Sequence, residues 1–172
     1  MRYVYLLLSI FFFSCGNTIY IVRHAEKAPV EAGASSMQAG DPPLSAAGEL
    51  RAIELRKTLR HQHIDRIFST NYKRTISTAQ PLNELRGNTK IELYNSKKDS
   101  MDVFITLLKS IRKNNVLVVG HSNTIDDIAN KLCGSTVVPG DLKETQYDNL
   151  FVVKRKGNTY QFTGKKYGAP TD

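Results

Sequence analysis

Four side chains of the types that handle a phosphoryl group each follow a short segment that reads as a strand. Arg23-His24 follows Thr18 to Val22, Arg74 lies a few residues past Asp65 to Ser69, and His121 follows Val116 to Val119. A guanidinium is a permanently charged planar fork that takes phosphate oxygens in pairs. A neutral imidazole nitrogen is a nucleophile, and histidine sits near its reference pKa at working pH. Attack of such a nitrogen on phosphorus gives a phosphohistidine that water then cleaves. Phosphoryl transfer asks mainly for in-line positioning and neutralised oxygen charge. Arg23, Arg74 and His121 supply that charge without a metal or other cofactor. Singly these residues are commonplace, and only their joint placement points to a site.

The elements that must position them alternate between strand and helix. Thr18 to Val22 reads as a strand, and Ser45 as the cap of a helix running to about Leu59 with Leu50, Ile53 and Leu59 as its apolar stripe. Asp65 to Ser69 is a second strand. Asn71 to Leu85 is helical, with a kink or restart required at Pro81. Lys90 to Tyr94 is a third strand. Met101 to Arg112 is an amphipathic helix with Val103, Leu107, Leu108 and Ile111 at helical spacing. Val116 to Val119 suits a buried parallel strand. Ile125 to Leu132 is a helix ended near Gly134. Leu150 to Lys154, Gly157-Asn158 and Tyr160 to Phe162 form a closing hairpin. The expected fold class is α/β, a three-layer sandwich with a mostly parallel central sheet and an antiparallel edge hairpin. Ligands of such sheets sit beyond the carboxyl ends of the strands, where this order brings Arg23, His24, Arg74 and His121 together. Lys27 to Pro43 reads as a long loop, of the kind that is often functional.

Four segments resemble the histidine phosphatase superfamily, the relatives of phosphoglycerate mutase. Tyr20-Ile-Val-Arg-His-Ala-Glu26 is similar to its Arg-His signature, and Pro43-Leu-Ser-Ala-Ala-Gly48 to its helix start after the first loop. Phe68-Ser-Thr-Asn-Tyr-Lys-Arg-Thr75 is similar to its second-arginine segment, and Val118-Val-Gly-His-Ser-Asn-Thr124 to its second-histidine segment. All four stand in the family's order between Thr18 and Thr124. The resemblance implies a phosphoglycerate mutase-like fold in a small single-domain branch. It implies that His24 is the nucleophile and that Arg23, Arg74 and His121 bind the phosphoryl group. The implied activity is metal-independent hydrolysis of phosphomonoesters, on a phosphorylated small molecule or a phosphoprotein.

The family's proton donor is an acidic residue after the third strand or an Asp just after the second histidine. Ser122 takes the latter place here. After the third strand the choices are Glu92, within the strand, and Asp99, in a loop beside Lys97 and Lys98; Asp99 is the better one. Glu26 and Asp126 also lie near the motifs. Three other readings compete. Gly120-His-Ser122-Asn-Thr124 resembles the nucleophile elbow of a serine hydrolase, but Thr124 stands where that motif needs Gly and no histidine follows Ser122. A non-catalytic phosphate-binding protein would explain the missing acid. A phosphoglycerate mutase-type phosphotransferase needs a pocket for two phosphate positions, and the chain has little room for the insertions that build one.

The rest of the chain sets the context. Its 172 residues, 41% hydrophobic and 23% charged, make one globular domain. Arg2 precedes an apolar run from Tyr5 to Phe13, too short to span a bilayer and shaped like an export signal. Ser14-Cys15 resembles a bacterial lipoprotein processing site. The expected organisation is a signal peptide over residues 1–14 and a histidine phosphatase domain over 15–172, with Cys15 lipidated. That places the protein in a bacterial cell envelope, on a membrane surface through the anchor, or otherwise periplasmic or secreted. The formal charge of +8 loses only Arg2 with the signal, leaving +7. Such a balance suits acidic partners. The basic residues form no long block with interleaved aromatics, so nucleic acid is not an expected partner. Cys133 reads as a buried small hydrophobe, and His61 and His63 as solvated.

Overall fold

The computed structural model describes residues 16–30, 33, 35–36 and 40–172. The expected signal segment, Cys15 and part of the loop 27–43 lie outside the described residues. Among the described residues, six strands form one sheet and four helices cover it. The strands are β1 (Thr18–Arg23), β2 (Ile64–Ser69), β3 (Glu92–Leu93), β4 (Asn115–Gly120), β5 (Asn149–Lys156) and β6 (Thr159–Lys166). The helices are α1 (Ala46–Leu59), α2 (Lys73–Leu85), α3 (Lys98–Ser110) and α4 (Ile125–Cys133). The sheet order is β3-β2-β4-β1-β5-β6. β1 to β4 run parallel, while β5 is antiparallel to both β1 and β6. This is the expected sandwich with its antiparallel edge.

The period-2 alternation of the central strands divides the core in two. Ile19, Ile21, Phe68, Val116 and Val118 face α3 and α4 through Phe104, Leu108, Ile125 and Ile128. Tyr20, Val22, Ile67, Leu117 and Val119 face α1 and α2 through Leu55, Leu59, Ala79 and Leu82. β1 and β4 lie mid-sheet with both faces covered, which is why each reads as a continuous apolar run.

Some local expectations change. In α1 the Ser45 cap is present, its Oγ accepting from the Gly48 N–H at 3.2 Å. The stripe is rotated, however: Leu50 is 65% exposed, and Arg51 is buried in its place. Burial of Arg51 is offset by its pairing with Glu26 and its hydrogen bonds to the Tyr167 and Ala169 carbonyls. Gly48 rests on the backbone of the first loop; a Cβ there would lie 2.2 Å from the Glu26 carbonyl oxygen. α2 runs as one helix through Pro81. α3 starts three residues earlier than expected and buries Met101, Phe104, Ile105 and Leu108, leaving Val103 72% exposed. β3 is a two-residue edge strand. α4 stops at Gly134, whose φ of 70° is the left-handed turn that glycine adopts without strain.

Candidate active site

Strand register brings the two histidines together. β1 and β4 pair in parallel with Arg23 opposite Gly120, so the next residues, His24 and His121, leave the sheet side by side. The His24 N–H donates to the Gly120 carbonyl at 2.9 Å, and the two imidazole centroids are 5.5 Å apart. β2 pairs with β4 as Ser69 opposite Val119, which sets Thr70 beside His121. Thr70 Oγ1 lies 2.9 Å from His121 Nε2.

Arg74 reaches the same edge from the first turn of α2. The α2 N-terminus has no cap from its own Tyr72 side chain. Asp41 supplies one from the loop before α1, accepting the Lys73 N–H with both carboxylate oxygens at 3.0 Å and pairing with Arg74 Nη1 at 3.3 Å. Thr78, one turn further, accepts the Ala25 N–H at 2.9 Å and donates to the Arg74 carbonyl at 2.7 Å. The loop holding His24 is thereby pinned to the helix holding Arg74.

Each arginine is stacked on a tyrosine. The Arg23 guanidinium carbon lies 4.1 Å from the Tyr147 ring centroid, and that of Arg74 lies 4.4 Å from the Tyr72 centroid. Arg23 is fully buried. Its Nη1 donates to the Lys143 and Glu144 carbonyls at 2.9 and 3.0 Å. Its Nη2 meets Glu144 Oε2 at 3.0 Å. Arg23 Nε and Arg74 Nε are both buried without a hydrogen-bond partner. Unpaired buried donors are costly, and a bound oxyanion is the kind of group that satisfies them. Arg23, His24, Arg74 and His121 line one cleft of about 500 Å³, with Lys27 and Lys97 also on its wall.

Hydrogen bonding fixes the His24 tautomer. Its Nδ1 lies 2.7 Å from the Ala25 carbonyl oxygen. A carbonyl only accepts, so Nδ1 carries the proton and Nε2 keeps a free lone pair. Burial lowers the His24 pKa to about 3; the Ala25 hydrogen bond opposes this, and the charges of Arg23, Arg74 and His121 reinforce it. Burial, then Arg74 and Arg23, lowers His121 to about 4 against the pull of Asp41. Both rings are therefore neutral at neutral pH, which is the state a nucleophilic imidazole requires.

The sequence profile of the histidine phosphatase superfamily (branch 1) matches residues 19–98, the stretch that carries Arg23, His24 and Arg74. Over that stretch the chain is similar to the histidine phosphatase superfamily. Several solved structures share its fold. The protein histidine phosphatase SixA complexed with tungstate is 17% identical, with TM-score 0.63 over 87% of this chain and 96% of that one. The candidate phosphohistidine phosphatase SixA of Agrobacterium tumefaciens is 19% identical, with TM-score 0.62 over 90% and 99%. Phosphoglycerate mutase of Bacillus anthracis is 18% identical, with TM-score 0.59 over 88% and 93%. No curated protein matches the sequence.

The acids of the chain are placed less simply. Asp99 does not join the cleft. It sits in the first turn of α3 and lines a separate groove with Leu93, Tyr94 and Val103. Glu26 is engaged by Arg51 at 2.7 Å, and Glu92 by Arg66 at 2.6 Å. Asp126 is buried, and burial raises its pKa. The acids that do line the cleft are Glu144 and Asp141. They come from the connection between α4 and β5, which sequence reasoning passed over along with Thr70, Tyr72 and Tyr147. The one sequence signal for it was length: residues 134–148 lack a regular element of their own, as functional loops often do.

Proposed function

We propose that the chain hydrolyses phosphomonoesters through a phosphohistidine on His24, without a metal. The observation that carries this reading is the 2.7 Å contact from His24 Nδ1 to the Ala25 carbonyl, which leaves Nε2 as a free lone pair in a cleft between two arginines. Nε2 attacks phosphorus, and Arg23 and Arg74 take up charge on the phosphoryl oxygens, joined by His121 once the negative charge of the bound phosphoryl group favours its protonated form. Water then attacks the phosphohistidine, releasing phosphate and restoring His24. The likeness to SixA supports a phosphoprotein as one substrate class, and a phosphorylated small molecule is the other.

The test is turnover of p-nitrophenyl phosphate by the wild type and by His24→Ala, with chelator present. The wild type should turn over and His24→Ala should not. Rapid quenching of the wild type should trap a base-stable, acid-labile phosphoryl group on the protein. Wild-type protein that binds phosphate yet hydrolyses nothing would sink the enzyme reading, and loss of activity on chelation would contradict the metal-free route.

We further propose that residues 1–14 are an export signal and that Cys15 carries a lipid. The domain would then act at a membrane surface in the bacterial cell envelope.

A further inference from the structure

We infer that Glu144 donates the proton to the leaving group, an assignment that rests on the phosphatase reading above. In the histidine phosphatase pattern that Val118 to Thr124 resembles, an Asp just after the second histidine is one source of this proton, and Ser122 stands there in this chain. The Ser122 hydroxyl donates to Glu144 Oε1 at 3.3 Å. A carboxylate from another loop is therefore docked on the residue that replaces the missing one. The other oxygen, Oε2, lies 3.0 Å from Arg23 Nη2 and 3.6 Å from Lys27 Nζ.

The loop that brings Glu144 is held on both sides of it. The Leu142 N–H donates to the Ser122 carbonyl at 2.9 Å. Arg23 Nη1 gathers the carbonyls of Lys143, Glu144 and Gln146 at 2.9, 3.0 and 3.4 Å. The backbone of Glu144 is thus tied to the phosphoryl-binding arginine, while its side chain is 71% exposed and free to swing.

In the resting site Glu144 is an anion. Partial burial pushes its carboxyl up, but Arg23, Lys27 and the hydrogen bonds from Arg23 and Ser122 hold it below the usual carboxylate range. Its carboxylate sits on Arg23 Nη2, where a phosphoryl oxygen would bind. A bound phosphoryl dianion takes over Nη2 and adds a like charge beside Glu144, and both changes favour the protonated carboxyl. A phosphomonoester loses its second proton near pH 6, so the substrate's own proton, or one from solvent, can load Glu144. His24 Nε2 then forms the N–P bond as the P–O bond to the leaving group breaks. Glu144 gives its proton to that oxygen, and the product leaves as an alcohol. The resulting carboxylate takes a proton from the water that attacks the phosphohistidine.

The test compares leaving groups. p-Nitrophenolate departs without a proton, whereas an alkoxide needs one. Glu144→Gln should lower kcat/KM for an alkyl phosphate such as glycerol phosphate by roughly 100-fold or more, the range of general acid catalysis. It should change kcat/KM for p-nitrophenyl phosphate by less than about threefold, because that constant ends at nitrophenolate release and does not report the later attack of water on the phosphohistidine. Across a series of aryl phosphates its rates should depend more steeply on leaving-group acidity. Glu144→Asp should recover part of the alkyl phosphate activity, and His24→Ala should abolish both activities. Equal losses on both substrates, or none on either, would overturn the assignment while leaving the phosphatase reading intact. A wild type inactive on both substrates would remove the phosphatase reading and this assignment together.

Discussion

Thr70 and His121 share a hydrogen bond of 2.9 Å, and the neighbouring hydroxyl and carbonyls set its direction. The Thr75 hydroxyl faces two carbonyls, those of Thr70 and Tyr72, each at 2.9 Å. It donates to them, so it accepts from the Thr70 hydroxyl at 3.0 Å. Thr70 Oγ1 then accepts from His121 Nε2–H. The chain Thr75–Thr70–His121 thereby fixes the tautomer and ring plane of the second histidine, as Ala25 does for the first. Thr70→Val keeps the side-chain shape and removes the acceptor. We expect kcat to fall roughly tenfold, the worth of one buried hydrogen bond, with KM for p-nitrophenyl phosphate little changed. Unchanged kcat would show that His121 needs no such support.

The two histidines should stay neutral far below the ordinary imidazole range. Burial and the two arginines hold His24 at about 3 and His121 at about 4. Their imidazole NMR signals should not titrate between pH 8 and pH 5. In the unfolded chain both protonate near 6.5, so between that value and the folded pKa the unfolded state binds more protons. Stability therefore falls as pH drops from about 6.5 toward 4 and 3. Bound vanadate, which brings negative charge, should raise both values and soften that loss. Titration of both rings near pH 6.5 in the free protein would contradict this picture.

Arg51 ties three parts of the chain together and should be costly to remove. It pairs with Glu26, two residues past His24, and donates to the Tyr167 and Ala169 carbonyls near the C-terminal end. Arg51→Met leaves a half-buried carboxylate and two carbonyls without their donor. Urea unfolding should show a loss of about 3 kcal/mol, as expected when one partner of a buried pair is removed. Glu26→Leu combined with Arg51→Met should recover part of that loss, because no uncompensated charge remains.

Much of the site was legible because strand order and strand ends carry it. The apolar runs ending before Arg23-His24 and before His121 are the two central parallel strands, and parallel register sets the residues just past their ends side by side. The helix faces were less legible. In α3, Val103 and Leu107 make one apolar series, and Met101, Phe104, Ile105 and Leu108 make another. Packing on Phe68 and Val118 decides that the second series is buried. In α1 the same competition buries Arg51 over Leu50, because Glu26 and two main-chain carbonyls offset its desolvation. Glu144 and Tyr147 carry no such local signal. They reach the cleft from beyond α4 by tertiary contact with Arg23, and nothing in their local spacing announces a partner so far away in sequence.

The position of β1 has a consequence for Cys15. Arg23 and His24 stand at the carboxyl end of β1, and Thr18 stands at its other end, roughly 17 Å away at strand rise. Asn17 is buried there, its side chain donating to the Asn114 carbonyl at 3.2 Å and its own carbonyl accepting the Arg155 N–H at 2.9 Å. Only Gly16 separates this fixed point from Cys15. A lipid on Cys15 would therefore hold the sheet end with Asn17 and Asn114 against the bilayer and turn the cleft outward. Cys15→Ala should move the protein from the membrane fraction to the soluble fraction. Its kcat on p-nitrophenyl phosphate should match that of the wild type, because no cleft residue lies at the anchored end. Unchanged membrane fractionation would count against lipidation, and a loss of kcat on release would count against the outward orientation.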